Sequence, residues 1–227
     1  MFKALIEMFR KEDLLQQAFH DSHKMLKTCK QMFDAALISL RKSDNGEMKM
    51  DVFAMDEEIN QYQRTVRGKV LAYLAVTASK DPVFSLVLVS VVIDIERIGD
   101  YTKNIIELAQ EHPKKLHAGP LESTIVQVEN NISERFERLV EAFEKSDDDI
   151  ARTVMQLHRV ITQTCDGILI TLIRDEHPEY VTTDAVTIAL YSRYLKRISS
   201  HITNIASGMV NPFDRIGFRE KNNGEID

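Results

Sequence analysis

The chain has 227 residues, with 35 acidic and 29 basic side chains for a formal charge of −6. That balance gives no general attraction to a phosphate backbone and argues against nucleic acid as a partner. With 44% hydrophobic and 28% charged residues the chain falls among ordinary folded proteins, and only 8 Gly and 5 Pro favour long helices over a many-turned sheet.

The first segment, MFKALIEMFRKED, alternates Phe2, Leu5, Ile6 and Phe9 with charged residues. It lacks the continuous apolar stretch of a secretion signal and reads as a short amphipathic element packed on the protein's own body. A first long helix follows, with Leu15, Ala18, Met25, Cys29, Met32, Phe33, Ala36 and Leu40 at three- and four-residue steps. Asn45-Gly46 breaks it. A second helix runs from about Met50 through Ile59, Val66 and Val70, and Lys80-Asp81-Pro82 ends it. Between Pro82 and Pro113 the β-branched start at 83–92 has strand character, yet no turn signal interrupts the thirty residues. One long third helix, buried on nearly all sides in its first half, is the reading. Its most apolar run, Val83 to Ile93, is far short of the roughly 20 residues that span a bilayer.

Pro113 to Pro120 is a linker, and the rhythm then returns. A fourth helix covers about 121–145, and Ser146-Asp147-Asp148-Asp149 supplies a break and an acidic start for a fifth at about 149–174. A sixth covers about 182–209. In register at an offset of 100, IERIGDYTKNI at 95–105 matches LKRISSHITNI at 195–205, with Arg97/Arg197, Ile98/Ile198, Asn104/Asn204 and Ile105/Ile205 identical. The fold expected is all-α, two tandem three-helix bundles related by internal duplication. The boundaries are a first half at 1–112, a linker at 113–120, a second half at 121–212 and a polar tail at 213–227.

Chemistry concentrates on the third helix. Glu96, Asp100 and Asn104 are each four apart and line one stripe, with Asp94 nearby. Like charges at that spacing repel, so a cation should compensate. The second helix offers Asp56, Asn60 and Arg64 at the same spacing. Two readings stay open: an interhelical ionic network through Arg64, or carboxylates from two helices holding a hard or borderline cation. No Glu-x-x-His motif supports a redox diiron centre. His20 and His23 read as solvent-facing, and His201, in register with Tyr101, as a packed ring. Cys29 and Cys165 read as buried free thiols in a reducing compartment. No P-loop, glycine fingerprint or nucleophile elbow is present, which points away from an enzyme.

The string D94-I-E-R-I-G-D100-Y-T-K-N104-I resembles the signature of the PhoU family of phosphate-uptake regulators, a motif that occurs once in each three-helix half. The resemblance implies a surface metal site in the first half, for a divalent or iron-type ion, with Glu96 and Asp100 as ligands, Asp56 facing them, and Asn60 and Asn104 in support. In the second half Lys196 and Ser200 replace both carboxylates, so no second site is expected. It further implies a non-enzymatic cytoplasmic regulator of inorganic phosphate transport, peripheral at the inner membrane and forming a homodimer. Its partners would be a membrane phosphate transporter, a sensor histidine kinase, or both. A metal-binding sensor or store and a purely structural helical adaptor are the alternatives.

Overall fold

The computed structural model describes residues 14–44, 50–76, 82–112 and 114–220. The amphipathic segment at 1–13, the Asn45-Gly46 break, Lys80-Asp81, Pro113 and the tail beyond 220 lie outside these residues. Among the described residues all regular structure is helical. In chain order the α-helices are α1 (Leu14–Lys42), α2 (Val52–Val76), α3 (Val83–Glu111), α4 (Glu122–Lys145), α5 (Asp148–Gln156), α6 (His158–Ile173) and α7 (Thr182–Val210). Helices α1 to α3 form one three-helix bundle. Helices α4 and α7, with the broken pair α5 and α6, form the other.

Local chemistry sets the boundaries. Asp51 caps α2 by accepting from the Ala54 amide at 3.0 Å. Helix α4 stops where Ser146 turns left-handed at φ 52°, and Asp147 then caps α5 by accepting from the Asp149 and Ile150 amides at 2.9 and 3.0 Å. The β-branched segment at the start of α3 is helical, and tertiary packing overrides its strand propensity. Phe84, Val87, Leu88, Val91, Val92 and Ile95 are buried, but Leu86 and Ile93 are exposed, so this stretch is covered on fewer sides than its composition suggests.

The sequence pattern predicts one fifth helix at about 149–174; the chain instead forms two, with Leu157 between them. The cause is tertiary. In an unbroken helix the Val154 carbonyl would accept from the amide of His158. Here the buried Arg135 of α4 donates its Nε–H to that carbonyl at 2.7 Å.

A single apolar core runs through both halves. Across the halves α3 and α7 pack antiparallel. Gly208 allows this, since a Cβ there would fall 2.9 Å from Val91 Cγ2. The connection after α3 is fastened to the body: the Leu116 amide donates to the Leu40 carbonyl at 2.8 Å, and Leu116 and Ala118 are buried. Arg41 of α1 donates to the Leu116 carbonyl and pairs with Glu122 and Glu129 of α4, and the Tyr191 hydroxyl donates to Glu129 at 2.6 Å.

Candidate functional site

Helices α2 and α3 meet closely at Gly99, where a Cβ would fall 3.2 Å from the buried Ile59 Cδ1. The absence of a side chain at 99 brings Asp56 of α2 alongside Glu96 and Asp100 of α3. All three carboxylates lie near the buried Cys29, whose thiol donates to the Ile95 carbonyl at 3.3 Å. Burial first, and then the negative charges of Asp56, Glu96 and Asp100, push the Cys29 thiol far above the ordinary range.

The cations on this stripe are not the one expected. Lys103 Nζ lies 2.8 Å from Asp56 Oδ2 and joins α3 to α2. Arg97 lies 3.0 Å from Asp100 Oδ2 through Nη1 and 3.6 Å from Glu96 Oε2 through Nε. Arg64, the partner favoured by spacing, is exposed and donates to Gln61 at 3.0 Å. Lys103 was legible, because it sits seven beyond Glu96 and three beyond Asp100, two whole turns along the same face. Glu96 is the least compensated member, with only the longer contact to Arg97. Burial raises its pKa, Asp100 and Asp56 add to the rise, and Arg97 and Arg67 oppose it.

As placed, Asp56 and Asp100 are paired with cations of the chain itself. Among the described residues no three His, Cys, Asp or Glu side chains gather in a metal-holding arrangement. The ammonium of Lys103 and the guanidinium of Arg97 stand where a cation would act. Asn60 and Asn104 make no hydrogen bond to the three carboxylates. In the second half the position of Glu96 is taken by Lys196, whose Nζ lies 2.6 and 2.7 Å from the two oxygens of Asp166 on α6. The Ser200 hydroxyl donates back to the Lys196 carbonyl at 2.9 Å. The repeat therefore keeps a polar α3-type stripe in both halves with the charge reversed.

Asp94 belongs elsewhere. Two residues from Glu96, it points to the other side of α3, where its Oδ1 lies 2.6 Å from His201 Nδ1 and accepts from Asn204 Nδ2 at 2.9 Å. His201 stacks on Tyr101, its partner in the duplication, with ring centroids 5.7 Å apart. Arg197 Nε donates to the Tyr101 hydroxyl at 3.1 Å. Matching positions of the two repeats thus meet about a pseudo-twofold axis between α3 and α7. His201 is a packed ring, as expected. His23 is not solvent-facing: it is buried, with its ring 6.1 Å from that of Phe143, and burial lowers its pKa first, followed by Lys27. His20 is exposed.

The PhoU domain model matches this chain twice, over residues 22–109 and 125–209. The chain belongs to the PhoU family. A Pseudomonas putida protein described as "Phosphate-specific transport system accessory protein PhoU homolog" is 29% identical over 186 residues, covering 78% of this chain and 70% of that protein. A Synechocystis protein of the same description is 22% identical over 202 residues, covering 88% and 83%. The crystal structure of PhoU from Pseudomonas aeruginosa superposes with a TM-score of 0.76 at 22% identity, covering 86% of this chain and 95% of that one. That likeness shows the fold. The two PhoU matches coincide with the two bundles, so the duplication inferred from residues 95–105 and 195–205 extends over whole halves. Within this PhoU fold the Asp94–His201 contact joins the repeats, while the acidic stripe belongs to the first repeat alone.

Proposed function

We propose that this protein is a non-enzymatic regulator of inorganic phosphate transport that acts by protein contact. The observation that carries the reading is the double match to the PhoU domain over most of the chain, together with relatives described as accessory proteins of a phosphate-specific transport system. The partner is a membrane phosphate transporter, its sensor histidine kinase, or both. No helix among the described residues is long and apolar enough to cross a membrane. In this reading the protein is held at the cytoplasmic face of the inner membrane through its partner and acts as a homodimer. Phosphate uptake and starvation signalling in cells with and without the gene, at high and low external phosphate, test this. Unchanged uptake together with unchanged signalling refutes it.

A divalent or iron-type ion on Glu96, Asp100 and Asp56 is a separate proposal. What supports it is the position of Glu96 beside Asp100 and Asp56, where burial first and then their charges raise its pKa. What it requires is expulsion of Lys103 from Asp56. The regulatory reading does not depend on it, and the ion-pair arrangement by itself serves an adaptor equally well.

A further inference from the structure

At the break between α5 and α6 a cavity of about 490 Å³ opens, remote from the acidic stripe, and its wall carries Arg152, Arg159, Arg219, His158, Thr203 and Phe218. Behind that wall Arg135 is 1% exposed. Its donors go to neutral acceptors: the Val154 carbonyl at 2.7 Å and the Ser199 and Thr203 hydroxyls at 2.6 Å each. A guanidinium satisfied only by neutral groups keeps its full field, and burial removes the water that would screen it. Arg159 and Arg219 make no ion pair among the described residues. The cations Arg135, Lys196 and Arg219 all act on His158 and, after burial, hold its pKa down to about 4. The rim therefore carries three guanidinium groups over a fourth, against Glu220 in the lining and Asp149 beside it, which holds Arg152 Nη1 at 2.7 Å and leaves Arg159 and Arg219 as the unpaired pair.

Glu220 occupies the place of an anion. Both of its oxygens lie 3.0 Å from Arg152 Nε, whose single N–H is shared between them, and a phosphate oxygen can take the same donor. The segment that brings it there is fixed from behind. The buried Asn211 donates to the Phe218 carbonyl at 2.8 Å, and the Gly217 amide donates to the Ser207 hydroxyl at 2.7 Å. Phe218 is 63% exposed, an apolar surface beside the cationic rim. The volume falls within the roughly 300–1,000 Å³ of small-molecule sites and is far larger than a bare phosphate needs.

We propose that this cavity binds a phosphate ester with an apolar body, of nucleotide size, its phosphates on Arg152, Arg159 and Arg219 and its body against Phe218. Glu220 is the internal competitor that the incoming phosphate displaces from Arg152. The site stands on the cavity's own residues and holds whether or not the protein governs phosphate transport.

Calorimetric titration of the full chain with ATP, AMP, adenosine and inorganic phosphate, without magnesium and at constant ionic strength, tests it. ATP is expected to bind one to one, with adenosine and inorganic phosphate at least tenfold weaker. R159A/R219A, at two exposed positions, should weaken ATP at least tenfold with the circular dichroism unchanged. E220Q should tighten it about threefold. Absence of ATP binding, equal affinity for inorganic phosphate, or indifference to R159A/R219A overturns the proposal. Should the double variant lose its fold, unchanged affinity in E220Q does so instead. None of these outcomes bears on uptake in cells, so the two readings fail separately.

Discussion

Asp94 of α3 and His201 of α7 meet at 2.6 Å across the two halves, with Asn204 donating to the same carboxylate oxygen. Both side chains are nearly buried, at 15% and 10% exposure. Truncating Asp94 leaves an imidazole nitrogen and an amide without their acceptor in a poorly solvated seam. D94A should therefore destabilise the fold by roughly 1–3 kcal/mol, the cost of orphaned buried polar groups. D94N keeps one acceptor oxygen and should lose less. Urea unfolding of the three proteins measures the difference, and equal midpoints would deny the contact any role in joining the repeats.

Glu96 leads to a stabilising substitution. Its pKa is raised in the folded state by burial, by Asp100 four residues on, and by Asp56. A carboxyl with a raised folded pKa favours folding most when protonated, and that contribution is lost as pH climbs through the folded value. At neutral pH the ionised form is the unfavourable one. E96Q should raise stability at pH 7 by about 0.2–0.5 kcal/mol for the relieved i,i+4 repulsion, and the gain should vanish on acidification below the ordinary carboxyl range. Melting temperatures across pH 3 to 8 give the result. A gain that persists undiminished at acid pH would point to packing rather than charge.

Two buried thiols give a sharp negative expectation. Cys29 is fully buried with its Sγ–H given to the Ile95 carbonyl, and burial, with the charge of Asp166 added, pushes Cys165 up to about 12. The reactive species is the thiolate. At pH 8 neither should react with a disulfide reagent in the native protein, and both should react at once in denaturant. Fast native labelling of either would show an opening of the bundle.

On the acidic stripe, Lys103 competes with any metal for Asp56. If an ion binds there, added Mn²⁺, Fe²⁺ or Zn²⁺ should raise the melting temperature of the wild type, and raise it more in K103A. The shift should be lost in E96Q and D100N. Elemental analysis of the purified proteins supplies the stoichiometry. Equal metal content and equal shifts in all four proteins place the ion elsewhere.

Periodicity exposed the helices because burial of one face is a local pattern, and the duplication was readable because four identities survive in register. The site was only half legible. Spacing put Glu96 and Asp100 on one stripe, and Gly99 marked the close approach of α2, but spacing along α2 singled out Arg64, whose side chain stays with Gln61. Which cation closes an interhelical pair depends on how two helices are rotated about their axes, which one helix's sequence does not specify. Asp94 was grouped with the stripe by proximity along the chain. Its true partners lie 107 and 110 residues away, on the helix that the duplication places opposite. Arg135 was overlooked despite a clear signal: it stands at a core position between Ile132 and Leu139, where α4 is otherwise apolar.

That arginine supports the last prediction. Its guanidinium is buried without a carboxylate, and desolvation brings its pKa down to about 10. It also takes the Val154 carbonyl from the helical ladder and so separates α5 from α6. Methionine at 135 fills similar length without charge and returns the carbonyl to the His158 amide. The desolvation cost disappears, while the Ser199 and Thr203 hydroxyls lose an acceptor role; Thr203 already donates to the Ser199 carbonyl at 2.9 Å and needs no replacement. Buried ionic groups exchanged for well-packed apolar ones are often neutral or stabilising by about 1–4 kcal/mol. R135M should therefore be at least as stable as the wild type. Hydrogen exchange at residues 157–159 should slow as α5 and α6 become continuous. Severe destabilisation, with exchange there unchanged, would mean that the break is set by Leu157 and its neighbours rather than by the arginine.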